Sequence, residues 1–339
     1  MIRKSLVMVA LAFWIGQVGL SRARADDATG GYTVKEQLKV GGEGGFDYVT
    51  LDAEGKLLYL TRTTHTQVVD TATGKVVGDI PDNAGSHGVA LAPEQNRGFI
   101  SNGKDATIQI FDLKTYETLG KIKAADDCDA IIYDPASKHV LALCGDAHQL
   151  VAVSADIDPK NGKAEVVELG GKPEYAVADG EGKVFVALVE DHVIAVVDTM
   201  AMKVIAKWPV APAKRPVGMS MDRAGKRIYV GCRSKNMVVM SAEDGKILAS
   251  LPIGAGVDGT NFYDGTGFAS CSDGTLSAVR ETSPGKFEVV QTLKTLPRAK
   301  TLAIDQKTGL IYLPTMDGKG TPEKPPTFIV LVVAPAEKK

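Results

Sequence analysis

Asp47, His87, Asp129 and Glu174 follow one another at intervals of 40, 42 and 45 residues. The same step continues through Val217, Gly259 and Lys300 at intervals of 43, 42 and 41. Two aspartates, a histidine and a glutamate held at one point are an N/O donor set suited to a single divalent cation, with Ca²⁺, Mn²⁺ or Zn²⁺ as candidates. In such a site Asp129 or Glu174 is the candidate general base, its acidity tuned by its neighbours. The far side of the same series carries the opposite sign. Lys300, with Arg215 and Arg298 two positions further out in register, makes a basic arc where a small anionic ligand could bind. Without a metal the layout is a polar funnel of solvated, partly paired charges. The residue types leave both readings open.

The four cysteines show neither C-x-x-C nor a zinc-ligand spacing. Cys128 and Cys144 stand symmetrically about a turn at Asp134–Lys138, so a cross-strand disulfide or two small buried thiols are the alternatives. Cys232 and Cys271 repeat the register of Cys144 in later units and read as free thiols. Gly41-Gly42-Glu43-Gly44-Gly45 has no helix after it, so it reads as a flexible linker and not as a phosphate loop. Five histidines are too few for a multi-copper cluster. Two tryptophans are too few for the repeated tryptophan motifs of quinone-cofactor enzymes.

What could bring residues some forty positions apart to one place is a repeat. Arg215–Gly254 shows the unit: apolar runs Val217–Met221, Arg227–Cys232, Met237–Ser241 and Ile247–Ile253, broken by Gly- and Asp-rich turns. Runs of that length and composition are antiparallel strands. One four-strand unit buries too little to stand alone. Taking the residue that ends each first strand gives Asp52, Ala92, Asp134, Asp179, Asp222, Asp264 and Asp305. Seven copies predict an all-β seven-bladed β-propeller of four-stranded antiparallel blades. The last copy, Pro297–Pro335, supplies three strands. Tyr32–Val40 is the available fourth, so the N-terminal strand should complete the last blade and remove an open edge. Ala155–Lys163 and Asp317–Thr327 read as solvated loops.

In that ring the loops before the first strand and after the second share one face, the top. His87, His65, His148 and His192 fall there, and His139 falls opposite. The top face and the channel mouth are therefore the expected working surface.

Residues 1–25 read as a cleavable signal peptide: Arg3 and Lys4, the apolar Ser5–Leu20, then Ala23-Arg24-Ala25 before Asp26. The propeller then occupies 26–339, with its core at 32–335. No second segment has spanning length, so no membrane span is expected after cleavage and the destination is periplasmic or secreted. A formal net charge of −2 lacks the basic excess of a nucleic-acid binder. Aromatics at 6% give no base-stacking platform. A monomer is expected.

Tyr229-Val230-Gly231-Cys232, Tyr59-Leu60-Thr61-Arg62 and Phe99-Ile100-Ser101-Asn102 are degenerate forms of a Tyr-Val-Thr-Asn signature, and Asp70–Val76 matches the segment that follows it. On these residues the chain resembles the YVTN-repeat, YncE-like exported propellers over residues 32–335. The resemblance implies fold and export. It does not imply a reaction. The leading expectation is a non-catalytic scaffold that binds a ligand or an unknown protein through its top face. The alternative is a metal-dependent, lactonase-like hydrolase built on Asp47, His87, Asp129 and Glu174.

Overall fold

In the computed structural model, residues 31–318 and 326–336 are described. The expected signal peptide at 1–25 and most of the loop Asp317–Thr327 lie outside them. Seven four-stranded antiparallel sheets form the molecule. Their inner strands touch in sequence and return from the seventh to the first, closing a ring. The seventh sheet is completed by Tyr32–Lys39, which pairs with Thr327–Pro335. The chain ends latch as the strand count requires.

Burial explains the composition of each strand. Second strands such as Leu57–Thr61 and Arg227–Cys232 lie between neighbouring blades and are covered on both faces, so they read as unbroken apolar runs. Outer strands have one wet face; Lys203–Pro209 alternates exposed and half-buried along its length. Between the third and fourth strands Asp caps the turn. Asp112 accepts the amides of Lys114 and Thr115 at 2.8 and 2.9 Å, and Asp70 accepts that of Thr73 at 2.8 Å.

Two segments expected to be plain loops are built into the fold. Ala155–Lys163 docks against the second blade, where Arg97 donates to the carbonyls of Ala155 and Ile157 at 3.3 and 2.6 Å. The Gly41–Gly45 segment is no slack linker. It wraps the guanidinium of Arg62, which is wholly buried. Arg62 donates to the carbonyls of Gly41, Gly42, Gly44 and Gly45 at 2.8, 3.1, 3.1 and 3.0 Å, and to Gln67 Oε1 at 2.6 Å. Its charge lies 3.8 Å from the centre of the Phe328 ring, on the strand that the N-terminal strand pairs with. Gly44 has φ +94°, and a Cβ there would stand 2.3 Å from the Arg62 carbonyl oxygen, so only glycine can follow this path. The latch between first and last blades is fastened by one arginine.

Candidate functional site

A β-bulge aims several of the mouth residues. In blades two, three and four the top of the inner strand carries two residues against one on the second strand. These are His87-Gly88, Asp129-Ala130 and Glu174-Tyr175. The extra residue breaks the alternation and turns a side chain toward the channel. Asp47 and Lys300 sit just ahead of the shorter inner strands Val49–Leu51 and Ala303–Ile304.

Hydroxyls of the strand signature hold these bulges in place. Its third residue reaches across to the next blade: Thr61 donates to the carbonyl of His87 at 2.9 Å, Ser101 to that of Asp129, and Ser270 to that of Lys300 at 2.7 Å. The hydroxyl at this strand position therefore does more than fill the strand. It anchors the backbone of the neighbouring mouth residue.

The charged side chains form a chain of contacts that visits every blade once. Asp129 Oδ1 lies 3.3 Å from His87 Nδ1, and His87 Nδ1 lies 2.8 Å from Asp47 Oδ2. Asp47 meets Lys300 at 3.2 Å, and Lys300 meets Asp258 at 2.6 Å. Asp258 meets Arg233 at 3.5 Å, and Arg233 meets Glu174 at 2.7 Å. In blade order this runs three, two, one, seven, six, five, four. Acidic and basic groups alternate throughout. An odd ring cannot alternate to closure, and the like-signed junction falls between Glu174 and Asp129.

The electrostatics follow from that geometry. Burial pushes the Asp129 carboxyl up, Asp47 adds to this and His87 opposes it, leaving it at about 8. Its buried Oδ1 makes no hydrogen bond, because the single Nδ1 proton of His87 is directed to Asp47. The Asp47 bond raises His87 against the opposing effect of its burial. Burial would raise Asp47, yet the His87 bond and the Lys300 charge hold it below the usual carboxylate range. Glu174 is raised by burial despite Arg233 beside it. Lys300 is desolvated, but Asp258 and Asp47 outweigh this and keep it charged. One residue inward from Asp47 and Glu174, Tyr48 and Tyr175 meet across the channel with ring centres 5.2 Å apart. Burial first, and the mouth carboxylates after it, push Tyr48 well above its ordinary value, so it stays a neutral phenol.

Asp47, His87 and Asp129 offer donor atoms within 4.8 Å of one another. Glu174 stands outside that group, paired with Arg233. The expected basic arc is also differently arranged. Lys300 is flanked by two carboxylates, Arg215 pairs with Glu190 at 3.1 Å, and Arg298 lies 5.8 Å from the Phe46 ring centre. Each of the three cations has its own partner.

Counting back from strand ends overlooked Asp258 and Arg233. In blade six Tyr263 pairs with Thr266 across a two-residue Asp264-Gly265 turn, whereas Asp222 pairs with Arg227 across four residues. Both turn residues have positive φ, the hairpin signature of Asp-Gly. Asp264 is thus inside the turn, and the count from it lands on Gly259, one residue past Asp258. Arg233 replaces the uncharged Val217 of its blade from the loop just beyond Cys232.

Cys128 and Cys144 face each other in register and are disulfide-bonded, next to Asp129. Cys232 and Cys271 are free and buried, and burial pushes both thiols up to about 12.

The fold and mouth define a seven-bladed propeller with a charged channel entrance. No protein-family model matches the sequence, and no curated protein matches it. Among solved structures 1736 chains match, too many for the likeness to single out an activity. One is from the hydrazine synthase of Kuenenia stuttgartiensis, with a TM-score of 0.68 and 13% identity over 80% of this chain and 92% of that one. At that identity the likeness is one of fold alone.

Proposed function

We propose that this chain is an exported, YVTN/YncE-like propeller that works as a binding scaffold, and that its channel mouth takes a positively charged group between Asp129 and Glu174. The observation that carries the reading is the odd ring. Six contacts pair its charges, and among the described residues one junction is left with two carboxyl groups and no cation. A ligand cation there would complete the alternation and offset the like charges of Asp129 and Glu174. The degenerate signature at Tyr59, Phe99 and Tyr229 supports the family reading. The disulfide at Cys128 and Cys144 supports an oxidising compartment, periplasmic or secreted.

A second reading has its own support. The Asp47, His87 and Asp129 group has the donors for one divalent metal, and Asp129, held near neutrality, has the basicity of a hydrolytic general base. Metal analysis of the purified mature chain, with thermal shifts against Ca²⁺, Mn²⁺, Zn²⁺ and benzylammonium, separates the two. The scaffold reading expects a cation-induced rise in melting temperature that Glu174→Gln abolishes. No rise with any cation contradicts it. Stoichiometric metal lost on His87→Ala, together with metal-dependent lactone hydrolysis, establishes the hydrolase instead.

A further inference from the structure

The channel has a second chamber. On the inner side of the Tyr48–Tyr175 pair, toward the face opposite the mouth, a cavity of about 360 Å³ opens between the inner strands of blades three to six. That volume is in the range of small-molecule sites. Its character is unlike that of the mouth. Tyr133, Tyr175, Met219 and Phe262 give it flat, polarisable walls. Among the described residues none that lines it is acidic, and Arg223 at its edge is the only ionic one.

Three polar groups remain unspent. Ser220 is 6% exposed, and its buried hydroxyl has no hydrogen-bond partner among the described residues. Asn261 uses its oxygen on the Phe262 amide at 2.9 Å, which leaves its Nδ2 donors available. Arg223 is held by carbonyls alone, Nη2 to Ala178 at 2.7 Å and Nε to Asp179 at 3.1 Å. Among the described residues no carboxylate stands within ion-pair distance of it. Glu243, which shares a neighbouring surface pocket with Arg223, is paired with Lys226 at 2.8 Å. A guanidinium fixed by neutral acceptors keeps its charge and its Nη1 donors for something else.

We propose that this chamber is a second binding site, for a small aromatic carboxylate that carries a polar group at its far end. The ring lies among Tyr133, Tyr175, Met219 and Phe262. The carboxylate meets Arg223 at the rim with Asn261 beside it, and the far polar group takes the hydroxyl of Ser220. Walls of this kind recognise a flat apolar body. The lone cation selects a single negative charge, and the buried hydroxyl penalises a ligand that leaves it unpaired. The site is separate from the mouth and takes the opposite charge.

Titration calorimetry on the mature chain tests this with 4-hydroxybenzoate, benzoate and 4-hydroxybenzylamine. Saturable one-to-one binding of 4-hydroxybenzoate is expected, and any binding of the amine should belong to the mouth and vanish in Glu174→Gln. Arg223→Gln should weaken binding by about tenfold, the loss of one charge-assisted contact. Ser220→Ala should cost 4-hydroxybenzoate a few fold and leave benzoate unaffected, a comparison that holds even if Arg223→Gln folds poorly. Glu174→Gln at the mouth should leave 4-hydroxybenzoate binding as it is in the parent, so failure of the mouth reading would leave this one standing. Absence of saturable binding overturns the proposal. So does an Arg223→Gln protein that folds and binds as well as the parent, or equal affinity for the amine and the carboxylate in the Glu174→Gln protein, whose mouth no longer takes a cation.

Discussion

The latch and the mouth both take charge out of water, and they do so by different means. At the latch Arg62 is surrounded by four backbone carbonyls, one side-chain amide oxygen and an aromatic face, with no carboxylate partner among the described residues. Burial lowers it to about 10, so it remains charged at neutral pH, and its donors are spent on neutral dipoles. The mouth sets charge against charge. Neutral acceptors can be added until every donor is met, which makes a closed structural device. Alternating charges on seven blades leave a remainder, and the remainder is where a ligand has something to gain.

Removing the latch should give the largest effect. Arg62→Met leaves several buried carbonyls without donors and should cost about 3–5 kcal/mol, the scale of breaking a buried charged network. Equilibrium unfolding in urea measures it. A loss below about 1 kcal/mol would mean the glycine loop closes the ring unaided. Lys300→Met strips the mouth of the cation shared by Asp47 and Asp258. Because Lys300 is about one-third exposed, screening reduces the cost to about 1–2 kcal/mol. A loss as large as that of Arg62→Met would erase the distinction between the two regions.

Much of this was legible in the sequence because it is periodic. The anchors from Asp52 to Asp305 are turn residues, and turn chemistry repeats wherever the meander repeats. The missing strand of the last blade identified its partner at Tyr32 by the need to close an edge. The mouth was legible as far as blades agree in register, which brought out Asp47, His87, Asp129, Glu174 and Lys300. It failed at Asp258, where a two-residue hairpin shifts the count by one. It failed again at Arg233, which reaches the ring from a different loop. Arg62 was hidden for another reason. A buried guanidinium held by carbonyls has no sequence partner to betray it, since every glycine offers the same oxygen.

The smallest effect carries the most information, because its sign is unusual. Neutralising a ring member should weaken the protein, except at the junction where two carboxylates meet. Asp129 has its pKa raised, so its contribution to stability is complete below the ordinary carboxylate value near 4 and is lost as pH climbs toward about 8. Thermal unfolding of metal-free Asp129→Asn and Asp258→Asn against the parent, at pH 8 and at pH 4.5, is the most direct test. The ring predicts that at pH 8 Asp129→Asn melts above the parent and Asp258→Asn below it, with the Asp129→Asn gain shrinking at pH 4.5. Destabilisation of both variants by similar amounts at pH 8 would contradict the ring and its single unsatisfied junction.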